Sequence, residues 1–139
     1  MKKPAKGEIK KVSFFGKVNI YYHKTWQLIH IIKGKCDLII TMNITNSMLK
    51  SVADKKTIVY FVSCYKDIVD KVKKRYVMSS SHLKLYRTKD KIYISTANLS
   101  LSNWDEITVE LERTEEIDNF IREITENLQL KNEFMRSFW

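Results

Sequence analysis

The chain has 139 residues, 44% hydrophobic and 29% charged, which suits one domain with a single core. Its formal net charge is +9; no apolar run approaches the ~20 residues of a membrane helix, and no signal-peptide apolar segment follows the basic start. Two cysteines, Cys36 and Cys64, each inside an apolar run, argue against a disulfide scaffold, and three histidines lack metal-ligand spacing, so a reducing, cytoplasmic setting without a metal cofactor is expected.

Taken in order, residues 1–12 (Met1-Lys2-Lys3-Pro4 onward) read as a mobile basic arm, and 13–139 as one domain without repeats or linkers. Val18 to Tyr22 reads as a first strand. Thr25 is placed to cap a helix carrying Trp26, Leu28, Ile29, Ile31 and Ile32, which Gly34 ends. Cys36 to Met42 is a nearly continuous apolar run, the pattern of a strand buried on both faces. A short helix over Ser47 to Lys55 follows, with Met48, Leu49 and Val52 on one side; then comes a second apolar strand, Thr57 to Ser63, and a helix over Tyr65 to Tyr76. Leu83 to Thr88 and Ile92 to Thr96 read as hairpin strands around Lys89-Asp90-Lys91, and Glu106 to Leu111 as another strand. Thr114-Glu115-Glu116 opens a last helix with Ile117, Phe120, Ile121, Ile124 and Leu128 at helical spacing. Strands alternating with helices predict an α/β domain whose mixed, mostly parallel sheet has helices on both faces, the hairpin being its antiparallel part.

The hairpin carries the chemistry. Residues i and i+2 of a strand share a face, so His82 pairs with Lys84 and Thr96 with Asn98. With a three-residue loop, antiparallel pairing sets Lys84 opposite Thr96 and His82 opposite Asn98, and all four meet one ligand. A register slip of one residue sends the two pairs to opposite faces. A neutral imidazole can attack phosphorus and hold the phosphoryl group covalently, while an ammonium and a carboxamide steady the non-bridging oxygens.

His82-Leu-Lys84 followed by Ser95-Thr96-Ala97-Asn98-Leu99-Ser100 resembles the signature of the phospholipase D superfamily, with Glu106 in the place of the carboxylate that usually opens the next strand. The resemblance covers most of the chain and implies a phospholipase D-like half-domain. It further implies His82 as nucleophile, Lys84 and Asn98 as phosphate ligands, Glu106 orienting a histidine, and no metal or other cofactor. Lys89 stands where the family has Asp, with Asp90 one place later, and Ser95-Thr96 replaces Gly-Ser. The family's chemistry needs two histidines, one to attack and one to protonate the leaving oxygen. Members with one motif obtain the second from a two-fold partner, so a homodimer with a shared cleft is expected. His23 and His30 are the other imidazoles of the chain. The apolar end, Phe134, Phe138 and Trp139, suits either a dimer contact or packing onto its own domain.

Residues 1–91 hold 21 Lys/Arg against 6 Asp/Glu, and the remainder 4 against 10. Basic excess beside a phosphodiester motif points to nucleic acid, DNA or RNA, as partner, although a Lys- and Ile-rich composition by itself has the same look. Ser95, Thr96, Lys89 and Lys91 are candidate substrate contacts, with Trp104 a base-stacking candidate. No amphipathic membrane-docking stretch is evident. The expectation is a metal-independent nuclease, and the alternative a degenerate phospholipase D-like domain that binds nucleic acid without cutting it.

Overall fold

Phe15 and Gly16 both take positive φ, 53° and 66°, and Lys17 N–H returns to Phe14 O at 3.0 Å. That turn folds β1 (Lys10–Phe14) onto β2 (Val18–Lys24). The structure is a computed structural model describing residues 8–64, 68, 71–78 and 81–136, with 130–136 described by backbone alone. A short 3-10 turn (Thr25–Gln27) leads into α1 (Leu28–Ile31), and Gly34, at φ 92°, turns the chain into β3 (Cys36–Ile40). Then come β4 (Asn43–Ile44), α2 (Asn46–Val52), β5 (Ile58–Phe61), β6 (Ser63–Cys64) and β7 (Lys74–Val77). The hairpin strands β8 (Leu85–Thr88) and β9 (Lys91–Ser95) precede β10 (Asp105–Glu112) and α3 (Glu115–Arg136). The Thr114 hydroxyl accepts Ile117 N–H and caps α3.

Eight of these strands form one sheet in the order β1-β2-β10-β9-β8-β3-β5-β7, and β4 and β6 make a small parallel pair. The expected α/β class is present and the sheet is mixed, but it is mostly antiparallel rather than mostly parallel. Among the described pairings of this sheet, only β3-β5 and β5-β7 run parallel. The reason is connection length. Two hairpins have links of two or three residues, too short for a parallel crossover, and β10 returns antiparallel between β2 and β9.

Alternation along the buried strands splits the core between two faces. Ile39, Val59, Tyr86 and Tyr93 meet Leu28 and Ile31 of α1 and Met48, Leu49 and Val52 of α2. Leu38, Ile40, Tyr60, Leu85 and Ile92 meet Ile121 and Leu128 of α3. Helices therefore cover both faces, as expected. The α3 face stays open over the other strands, where Val12, Phe14, Tyr22, Ile94 and Ile107 are exposed.

Three elements differ from expectation. Lys10–Phe14 is a paired strand, so the basic arm does not reach residue 12; residues 1–7 lie outside the described ones. Lys74–Val77 is a strand beside β5, where a helix over Tyr65 to Tyr76 was expected. An open position next to a parallel strand outweighs the helical spacing of the apolar residues, and 65–67, 69 and 70 lie outside the described residues. The third difference is the hairpin loop, which contains two residues and not three. The Thr88 hydroxyl accepts Lys91 N–H at 3.1 Å and closes the turn around Lys89 and Asp90.

Alternating charges fasten α3. Asp37 accepts from Arg87 Nε (2.7 Å) and Arg113 Nη1 (2.6 Å), and Asp118 accepts from Arg113 Nε (2.9 Å) and Arg87 Nη1 (3.3 Å). The ring links β3, β8 and the first turns of α3. Asp118→Ala is expected to lower unfolding free energy by about 1 kcal/mol, less in high salt. Urea unfolding of both proteins at two salt concentrations checks this.

Candidate active site

The site is built where β9 ends. Ser95 N–H donates to Lys84 O at 3.1 Å, so Lys84 stands opposite Ser95 and not Thr96 as the three-residue loop predicted. If β9 continued straight, this register would divide the motif between two faces. It does not continue. The Ser95 hydroxyl accepts Ala97 N–H at 2.9 Å, a side-chain turn that bends the chain across the start of β8.

Asn98 lands at the C-terminal end of β3. Its Oδ1 accepts Met42 N–H, Asn43 N–H and the Thr41 hydroxyl, each at 3.1 Å. Two backbone donors on one atom fix the carboxamide's orientation and leave Nδ2 facing away from this anchor. Among the described residues Nδ2 has no hydrogen-bond partner. Tyr86, fully buried, donates to Ala97 O (2.7 Å) and approaches Thr41 Oγ1 (3.0 Å), so the crossing segment also satisfies a core hydroxyl. Burial pushes the Tyr86 phenol well above its ordinary value and keeps it neutral.

Beside this crossing, the Thr96 hydroxyl accepts Ile107 N–H at 3.0 Å, and both it and the Lys84 ammonium favour the charged form of the Glu106 carboxylate. Its pKa is raised by partial burial, against the lowering effects of Thr96 and Lys84. Lys84 Nζ donates to His82 O at 3.0 Å, so the backbone of His82 meets the ammonium. The imidazole is on an exposed residue with no hydrogen bond to it among the described residues.

Lys84, Thr96, Asn98 and Glu106 are thus gathered at one end of the sheet, with His82 next to them in the chain. Ser95 serves a different purpose, in a buried chain of hydrogen bonds. His23 Nδ1 is 2.7 Å from Lys24 O, which can only accept, so Nδ1 carries the proton. Nε2 then accepts from Thr108 (2.6 Å), Thr108 from Ser95 (2.7 Å), and Ser95 from Ala97 N–H. His23 is 1% exposed, and desolvation lowers its pKa against the raising effect of the Lys24 carbonyl. With both nitrogens engaged, His23 offers none to a substrate. His30 is exposed and packs edge-on against Trp26 at 6.1 Å.

Lys89 and Lys91 lie at the hairpin tip, the far end of β8 and β9 from the motif, and are not part of this group. Trp104 is 73% exposed two residues before Glu106, its backbone bonded to Thr25. Phe138 and Trp139, and the side chain of Phe134, lie outside the described residues. Thr41, Tyr86 and Thr108 were not picked out by sequence. Thr41 had a signal: it is the first polar residue after a buried parallel strand, where α/β sheets place ligand-binding groups. Among the described residues no three His, Cys, Asp or Glu are grouped to hold a metal, and no helix is long and apolar enough to cross a membrane.

Asn98→Leu removes the acceptor of two backbone N–H groups and is expected to cost about 2 kcal/mol of stability, measured by chemical denaturation; Thr41→Val costs less, because only a hydroxyl is lost. His23 sets a pH dependence. Its folded pKa lies below the ordinary 6.5, so the unfolded chain binds the proton first. The stabilisation is complete above that value and declines as pH falls through it toward the folded pKa. From about pH 7.5 to about pH 5, wild type should lose more thermal stability than His23→Asn; equal losses would remove His23 from the account.

Compared with known proteins, the chain matches no family model, no curated protein and no solved structure.

Proposed function

We propose that the chain is a metal-independent phosphodiesterase of phospholipase D-like type that cleaves nucleic acid. The observation that carries this reading is the assembly of Lys84, Thr96, Asn98 and Glu106 at one sheet end, with the Asn98 amide group turned away from its anchor. An ammonium and a carboxamide N–H there suit two non-bridging phosphate oxygens, whose charge must be met in the transition state.

The reaction proceeds in two displacements. A ring nitrogen of His82 attacks phosphorus; a P–N bond forms and the bond to the leaving oxygen breaks. A second imidazole gives that oxygen a proton. It then takes one from water, whose oxygen attacks phosphorus and releases His82. Since both His23 nitrogens are engaged inside the fold, the second imidazole is assigned to His82 of another copy. A homodimer is favoured by the uncovered apolar sheet face. Ile107, on that face, bonds through its backbone to Thr96, so the face adjoins the motif.

One observation favours the second reading, binding without cleavage. No hydrogen bond among the described residues orients the His82 ring, and a nucleophile needs its attack direction held.

Cleavage of single- and double-stranded DNA and RNA in excess chelator separates the two. Under the first reading wild type cuts and His82→Ala loses about a thousandfold or more. Mixing His82→Ala with wild type then lowers activity beyond simple dilution, because mixed dimers lack one imidazole. Salt-dependent binding with no cleavage by either protein would leave the second reading. Proportional loss on mixing would sink the shared cleft.

A further inference from the structure

Five lysines line one cavity that runs from the β8–β9 tip, at the sheet end away from the motif, to Lys11 and Tyr21 in the register row of Ser95. Lys11 comes from β1, Lys33 and Lys35 from the turn between α1 and β3, and Lys89 and Lys91 from the β8–β9 tip. The cavity has a volume of about 420 Å³, and buried Tyr21, Tyr93 and Glu110 line it. Lys91 stands four residues along β9 from Ser95, ~13 Å of strand at the usual rise.

Charge makes this cavity unusual in the molecule. The ion pairs among the described residues belong to Lys24, Arg87 and Arg113, and none of the five lysines takes part in one. Lys33 Nζ donates to His30 O, and Lys35 Nζ to the Lys50 and Ser51 carbonyls. Lys11 Nζ lies 5.7 Å from the centre of the Tyr21 ring. Two carboxylates, Asp90 and Glu110, share the lining. Glu110 is already committed to the fold, accepting from Asn19 Nδ2 at 2.6 Å and Tyr21 OH at 3.4 Å. Five lysines therefore share the lining with two carboxylates, an excess of three positive charges that favours an anion from solution.

The framework is fixed before any anion arrives. Tyr93, fully buried in β9, accepts Lys33 N–H at 3.2 Å, and Gly34 turns the chain so that Lys33 and Lys35 both reach the rim. Backbone held in this way lowers the ordering cost of binding.

We propose that this cavity is a second anion site, distinct from the motif, which takes the phosphate groups of a nucleic-acid strand or of a free polyphosphate. Compact, rotatable ammoniums from three parts of the chain suit several phosphate oxygens without demanding one geometry. The site does not depend on whether His82 is a nucleophile, and binding alone tests it.

The experiment uses the full chain, inorganic tripolyphosphate and a short oligonucleotide, followed by amide chemical shifts and by titration at two salt concentrations. Tripolyphosphate is expected to shift Gly34, Lys91 and Tyr93 at concentrations that leave Thr41 and Asn98 in place, with equal affinity for wild type and His82→Ala. A Lys33→Ala, Lys35→Ala, Lys91→Ala triple variant should lose at least about tenfold in affinity, and the corresponding triple Arg variant should recover most of it. Displacement of tripolyphosphate by the oligonucleotide identifies a strand as the source of the phosphates; retention identifies a free polyphosphate. No binding, unchanged affinity in the triple Ala variant, or shifts centred on Asn98 would overturn the proposal.

Discussion

The Asn98 carboxamide oxygen is the contact on which the arrangement of this fold's motif end depends. Three donors converge on it, two of them backbone N–H groups that the end of β3 would otherwise leave unpaired. Through it, the segment leaving β9 is held across the start of β8 and onto β3, where Leu99 bridges Ile44 and its carbonyl accepts Thr45 N–H. The crossing closes one end of the core, giving the Tyr86 hydroxyl its acceptor and Ser95 its bend. An amide meets this task where a carboxylate or an alkyl group fails. It accepts on one side and keeps a donor on the other, so the residue that anchors the crossing still offers an N–H.

What could be read from the sequence and what could not divide along physical lines. Continuous apolar runs located β3 and β5, and helical spacing located α3 with its opening at Thr114-Glu115-Glu116, because burial leaves a periodic trace. His82, Lys84 and Asn98 were visible as a spaced set of polar groups, and Glu106 through the resemblance which that set carries. The loop length was not, since Lys89-Asp90-Lys91 is equally polar throughout and a Thr88 side-chain bond decides where the turn closes. β1 was hidden by Lys10 and Lys11, although Val12 and Phe14 alternate with polar neighbours and Phe15-Gly16 marks the turn. The buried chain His23–Thr108–Ser95 was invisible, because its members come from three strands and each alone is an ordinary polar residue.

Arginine and lysine divide the basic charge between them. Arg87 and Arg113 stand in a partly buried ring with Asp37 and Asp118, where a planar fork can reach two carboxylates at once. Lysines stay nearer solvent, at the cavity rim and around the motif. The lopsided charge of the chain is therefore more than an average over its surface. Arg87 and Arg113 hold α3 to the sheet, while the five lysines of the cavity take part in no ion pair among the described residues.

The strand order leaves β1 and β7 as the two edges of the sheet. Each edge strand opens with two basic residues, Lys10-Lys11 in one and Lys74-Arg75 in the other. An unpaired edge is a template for another chain, and clustered like charge is one way a sheet refuses that pairing. Growth of this sheet is accordingly checked by repulsion at its borders, with no helix needed to cover them. Strand addition by another chain meets like charge first, so the lysines that raise the net charge to +9 also guard the borders of the sheet.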